Sequence, residues 1–189
     1  MARFPLNVSK IQLGAFLCLL LLVGQSLAGQ LVDKRDGTVY KTVKVGNKVW
    51  MAEKLNYKVP RSYCYDGDDC SKFGRYYRWE DAKKICPEGW HLPVQGELVS
   101  LLNNGPKFVL NPNGFAMQLS GSFGGQDEIS YAEENAYLWS STYVDECGED
   151  SDVIDCSYTY VLRSSHFGVS VVEEYFDADV YYSVRCVKD

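Results

Sequence analysis

The sequence predicts an α+β fold: two short helices, then a strand-rich, loop-rich antiparallel half, stapled by disulfides. Three observations carry that expectation. The stretch Trp79–Leu98 places apolar residues at helical spacing, breaks at Pro87 and Gly89, and resumes with a second helical segment. Beyond residue 105 the pattern changes to short aromatic runs separated by turn residues. Helices followed by strands, rather than alternating with them, argue against a wound parallel sheet. Finally, six of the seven cysteines lie beyond residue 60, an even set suited to covalent cross-links.

Taken in order, residues 1–28 read as a secretory signal peptide. Arg3 and Lys10 make a basic start, and Ile11–Val23 is an apolar run of thirteen positions interrupted only by Gln12 and Gly14. Ser26-Leu27-Ala28 then offers small residues at a cleavage site. The run is short of the roughly 20 residues a membrane span needs. Position 29 is glycine, not the cysteine that a lipid anchor would require. Export to the periplasm, the outer surface or the medium is the expectation, with no membrane span in the mature chain.

Residues 29–35 are expected to be a flexible start and 36–189 a single folded domain, within the usual size range. Val39–Val45 and Lys48–Met51 flank Gly46-Asn47, a hairpin signal. Residues 60–74 read as a loop. From Tyr77 to Cys86, Trp79, Ala82 and Ile85 or Cys86 share one helical face, while Glu80, Asp81, Lys83 and Lys84 face water. The second helix is expected over Gly96–Leu102, ended by Asn103-Asn104-Gly105-Pro106. Strands are expected at Ala116–Leu119, Tyr137–Ser141, Tyr158–Arg163, Gly168–Val172 and Tyr181–Val187.

The formal charge is −6, and loss of Arg3 and Lys10 with the signal makes it −8, since no acid precedes Asp33. That balance disfavours nucleic acid and anionic membrane surfaces, which recruit basic patches. Once Cys18 leaves with the signal, six cysteines remain. Cys64 and Cys70 flank one short loop and Cys147 and Cys156 another, which leaves Cys86 with Cys186. In the chain-entropy model a cross-link closing about 100 residues contributes near 4–5 kcal/mol. Zinc is disfavoured, because no C-x-x-C pair occurs and the two histidines lie far apart in sequence.

Several residues invite a chemical role. The segment Asp145, Glu146, Glu149, Asp150, Asp152, Asp155 is densely acidic, and Asp66, Asp68 and Asp69 form a smaller copy. Neither has the spacing of an EF-hand loop. A solvated acidic loop is the plain reading; if calcium binds, Asp150, Asp152 and Asp155 are the first candidates. Tyr158, Tyr160, Tyr175, Tyr181 and Tyr182 could stack on sugars, but strands also use such rings to cover a core. His91 reads as structural, and His166 stands alone between Ser165 and Phe167. Gly121–Gly125 reads as a flexible loop, not a phosphate cradle.

The chain resembles the Fibrobacter succinogenes major paralogous domain family of exported bacterial surface proteins. The likeness lies in Asp36–Gly46, Val49–Glu53, Leu55–Tyr57, Ser62–Tyr65 and Cys86–Pro93, then in Gly121–Phe123, Ala136–Thr142 and Ser183–Asp189. The family in turn resembles the C-type-lectin-like fold and the formylglycine-generating, sulfatase-modifying enzymes. That likeness implies two helices at Trp79–Cys86 and around Glu97-Leu98, and it supports a Cys86–Cys186 bond. The calcium-dependent sugar site of lectin-like domains uses a Glu-Pro-Asn or Gln-Pro-Asp triplet. Here the nearest triplet is Asn111-Pro112-Asn113, without the acid, and Trp139 is followed by Ser140-Ser141. The inherited sugar site is therefore expected to be missing, and Trp139 to belong to the core.

The resulting expectation is an exported, non-catalytic binding or structural module, with no cofactor and with a polysaccharide or a cell-surface protein as partner. The resemblance implies one alternative, an oxidase related to the formylglycine-generating enzymes, which needs free thiolates; a calcium-stabilised scaffold is a further reading.

Overall fold

The computed structural model describes residues 29–65, 67, 69–124, 129–145, 157–175 and 179–189. Strands β1 (Gly29–Val32), β2 (Val39–Val45) and β3 (Lys48–Met51) open the chain, with β4 (Tyr63–Cys64) and β5 (Arg75–Tyr77) after a loop. Helix α1 (Trp79–Ala82), β6 (Trp90–His91), α2 (Gln95–Leu102) and α3 (Pro106–Leu110) follow. The remainder is β7 (Ser120–Phe123), β8 (Ile129–Ala132), β9 (Ala136–Asp145), β10 (Ser157–Ser165), β11 (Gly168–Tyr175), β12 (Tyr182–Ser183) and β13 (Val187–Lys188).

The hairpin expected at Gly46-Asn47 is present as β2–β3, with Val45 opposite Lys48 and Gly46 at a φ of 59°, the left-handed region glycine tolerates. The first sheet runs β1-β2-β3-β13-β6. The second runs β11-β10-β9-β12-β5-β4, with β7 alongside β9 and β8 alongside β7. Strand β9 separates two apolar cores. Tyr137 and Trp139 face one that also holds Trp79, Ala82, Ile85, Met51 and Leu55. Ala136 and Leu138 face the other, with Trp50, Leu98, Leu101, Phe115 and Leu162. Burying both faces of the strand explains why Ala136–Trp139 is apolar at consecutive positions rather than alternating.

Strand residues outnumber helical ones and the pairing is mostly antiparallel, so the described residues bear out the strand-rich half. Five local expectations are corrected. Residues 29–32 are not a loose start: they pair with β2 from Gly29↔Thr42 to Val32↔Val39, anchored by buried Leu31. The first helix covers only Trp79–Ala82. Tyr77 is drawn into β5 opposite Tyr182, and Ile85 N–H bonds to Ala82 O in a tighter turn. The expected face is nevertheless right, since Trp79, Ala82 and Ile85 are all buried.

The expected strand Ala116–Leu119 is irregular, with Ala116 at a φ of 54°. Two of its carbonyls accept from side chains instead of a neighbouring strand: Lys54 Nζ donates to Gln118 O and Arg185 Nη2 to Ala116 O. The expected strand Tyr181–Val187 is split into β12 and β13, because the segment crosses from one sheet to the other. Between them Val184 O accepts from Leu55 N–H and Cys186 O from Met51 N–H. Last, Gly121–Phe123 is strand rather than flexible loop. A Cβ at Gly121 would sit 2.2 Å from Ser130 O, so only glycine permits β8 to approach.

Sequence analysis did not foresee α3, having read Gly105-Pro106 as a terminator; Pro106 instead occupies the first turn, where its missing N–H is harmless. Cys86 and Cys186 are bonded, Sγ–Sγ 2.04 Å, closing 100 residues, and Cys64 is bonded to Cys70 with their Cα atoms 4.9 Å apart. The proposed Cys147–Cys156 pair lies outside the described residues. Among those residues no helix is long and apolar enough to cross a membrane.

Candidate functional site

The β10–β11 hairpin keeps register to its last pair, Ser165↔Gly168, so the tip is the two residues His166-Phe167. Phe167 N–H donates to Ser165 Oγ, which fixes the turn, and the Phe167 ring stands 90% exposed. Such exposure of a large apolar ring has no stabilising return in the free protein. Beside the tip, the end of β8 carries Tyr131 at a φ of 60° and the turn into β9 carries Glu133 at 67°, held by Glu134 and Asn135 N–H donations to Tyr131 O. Left-handed backbone at a tyrosine costs about 1–3 kcal/mol and persists only where its surroundings impose it. Here the close passage of Gly121 beneath Ser130–Ala132 does so. The Tyr131 ring is also exposed.

Between the two turns lies a cleft of about 540 Å3, walled by Tyr131, Glu134, Asn135, Arg163, Ser165 and the hairpin tip. Arg163 is opposite Tyr137 in the β9–β10 ladder, and Ser165 follows it two residues on, so both project from the same face. Among the described residues the side chains of Arg163, Glu134 and His166 make no hydrogen bond or ion pair. Asn135 is the exception: its Nδ2 donates to Tyr137 Oη at 3.1 Å, which holds the amide at the cleft edge. The site therefore combines two exposed rings with a donor-rich guanidinium, an acceptor carboxylate and small polar groups that are not committed elsewhere. Such a set can stack on a flat apolar face and hydrogen-bond a ring of hydroxyls.

A second cleft, of about 370 Å3, lies between β2–β3, Gly74 and the turn after α3. Its rim cations are already matched, Lys41 to Glu53 at 3.5 Å and Lys72 to Glu133 at 3.2 Å. Beneath it the Lys54 side chain is buried.

The expected site residues fall as follows. Asp150, Asp152 and Asp155, the calcium candidates, lie outside the described residues, as do Asp66 and Asp68. Asp69 accepts from Ser71 N–H in a local turn. Asn111-Pro112-Asn113 forms the turn after α3, with Asn113 N–H donating to Asn111 Oδ1. Trp139 is buried and its Nε1 donates to Tyr77 O at 2.7 Å, a core role. His91 is structural in its contacts, with Nδ1 at 2.6 Å from Asp189 Oδ1 and Nε2 at 2.9 Å from Glu97 Oε2. Of the tyrosines singled out, Tyr181 and Tyr182 are buried and Tyr158 and Tyr160 half-buried. Of these, among the described residues, His166 is the one that lines the cleft.

Comparison with family models, with curated proteins and with solved structures returned no match. The site therefore rests on its own geometry. Sequence reasoning missed Tyr131, Glu134, Arg163 and Phe167. One signal was available: an aromatic before glycine in a hairpin turn between two strands has no core to face.

Proposed function

We propose that the chain is an exported, non-catalytic binding module that holds a neutral polysaccharide at the hairpin-tip cleft. The carrying observation is the pair of exposed rings, Phe167 and Tyr131, flanking uncommitted Arg163 and Glu134. A pyranose presents an apolar face for stacking and hydroxyls that need both donors and acceptors. Arg163 and Glu134 supply one of each, and their charges offset, which favours a neutral chain over an acidic one. Export is supported by the signal-like residues 1–28 and by two disulfides, which persist in oxidising compartments. The short helices α1 and α2 joined to a final strand by Cys86–Cys186 support a C-type-lectin-like fold of the Fibrobacter succinogenes major paralogous kind. The oxidase reading is disfavoured because four of the cysteines are bonded in pairs and offer no thiolate.

The test is retention of the folded protein on neutral polysaccharides such as cellulose, xyloglucan and mannan. Phe167→Ala and Tyr131→Ala should each weaken binding several-fold to about tenfold, the worth of a ring contact. Retention that survives both substitutions removes the cleft from the account. Retention on a surface protein and on no glycan replaces the ligand class.

A further inference from the structure

Two basic side chains, Lys54 and Arg185, lie in the interior below the second cleft, and no carboxylate forms an ion pair with either among the described residues. The Lys54 amine donates to Gln118 O at 3.2 Å and contacts Ser120 Oγ closely. The guanidinium of Arg185 donates to Phe115 O and Ala116 O and stacks 4.4 Å from the Phe115 ring centroid. Of its other donors, Nε is buried and has no hydrogen-bond partner among the described residues. A buried donor without an acceptor costs about 1–3 kcal/mol, and a buried cation without an anion costs more. The Glu53 carboxylate at the cleft favours the charged guanidinium through space but makes no hydrogen bond or ion pair with it among the described residues, so Nε is left without an acceptor.

Lys54 is also the group that can become one. Desolvation by burial, with the nearby charge of Arg185 adding to it, holds its amine well below lysine's ordinary pKa. The amine therefore keeps a lone pair under conditions where surface lysines are protonated. Its side chain lines the 370 Å3 cleft together with Gly74, Ala116 and Gln118, so a small uncharged electrophile has a route toward it. Gly74 leaves that route narrow: a Cβ there would sit 2.7 Å from Lys54 Cβ.

We propose that Lys54 is a carboxylation site, taking up carbon dioxide to give an Nζ-carbamate that serves as counter-ion to Arg185. The nitrogen lone pair attacks the carbon, a C–N bond forms, and one C=O π pair moves onto oxygen. The amine then loses one proton to solvent. No oxidant or reductant takes part. The remaining N–H keeps its acceptor at Gln118 O, the new oxygens accept from the Ser120 hydroxyl, and they offer the buried guanidinium a hydrogen-bonding anion.

The experiment is 13C NMR of the intact protein equilibrated with 13C-labelled bicarbonate at neutral and mildly alkaline pH. A carbamate carbon signal is expected that is lost on acidification and is missing in Lys54→Arg, which keeps a cation but no nucleophilic amine. Alkylative trapping of the wild-type carbamate followed by peptide mapping should place the added mass on Lys54, which keeps the test decisive if the variant folds poorly. A signal that persists in Lys54→Arg, or trapped mass only on the α-amine or on surface lysines, overturns the assignment. So does an absence of any carbamate signal from the folded wild type. None of these readouts depends on glycan binding.

Discussion

The interior crossed by Val184–Val187 and the rim formed by Tyr131 and Phe167 are built on opposite principles. In the interior the side chains are packed and bonded, with the Arg185 Nε the exception. Cys186 is bonded to Cys86, the Arg185 guanidinium is stacked and hydrogen-bonded, and Val184 and Val187 are fully buried. At the rim, Phe167 is exposed and Arg163 and Glu134 are unengaged among the described residues. The first region stores stability. The second leaves its side chains exposed, so residues there are expected to contribute little to folding. Substitutions should separate the two.

The sharpest separation is expected from Cys86→Ser with Cys186→Ser. Removing a cross-link over 100 residues should lower unfolding free energy by about 4–5 kcal/mol in the chain-entropy model. Urea titration measures it, and any polysaccharide retention should persist wherever the variant remains folded. A loss below 1 kcal/mol would break the contrast, because the tie would then be ornamental. Trp139→Ala should cost about 3–5 kcal/mol through the cavity and the orphaned carbonyl of Tyr77. Opening Cys64–Cys70, which closes a sequence separation of only 6, should cost about 2–3 kcal/mol by the same entropy relation. The ratio of the two disulfide losses tests loop length as the cause.

A smaller effect follows from Asp33. Its side-chain hydrogen bonds with Arg35 hold the carboxyl below the ordinary aspartate value against an opposing desolvation. A carboxylate with a lowered folded-state pKa adds stability that is present above the unfolded value, near 3.9, and is lost as pH falls through the folded one. Thermal unfolding followed from pH 6 to pH 3 should show this acid limb, and Asp33→Asn should flatten it. At the far end of the scale, Phe167→Ala should change stability by less than about 0.5 kcal/mol, since the ring packs on little. A larger loss on thermal or urea unfolding would mean that the rim is structural after all.

These contrasts also mark what the residues disclosed in advance. Periodicity exposed the buried face Trp79–Ala82–Ile85, and cysteine spacing exposed both described disulfides, because each is a local or counting property of the chain. The α1 boundary was hidden: Tyr77 has helical spacing, yet a strand partner 105 positions later, Tyr182, claims it. The irregular path at Ala116–Leu119 was hidden too, since its cause is the reach of Lys54 and Arg185 from distant segments. The hairpin-tip cleft was partly within reach. The β10 and β11 strands were expected at Tyr158–Arg163 and Gly168–Val172, and the residues left between them include His166 and Phe167. What could not be read was that the turn before Ala136 brings Tyr131 and Glu134 alongside.

Strand β13 lies between β3 and β6 and is made after both of them. Until Cys186, Val187 and Lys188 emerge, Trp50 and His91 have no common neighbour, and Cys86 lacks its bonded partner. The domain thus closes like a purse whose drawstring is the last thing threaded. Nascent chain must wait, with two open strand edges, for a handful of late residues.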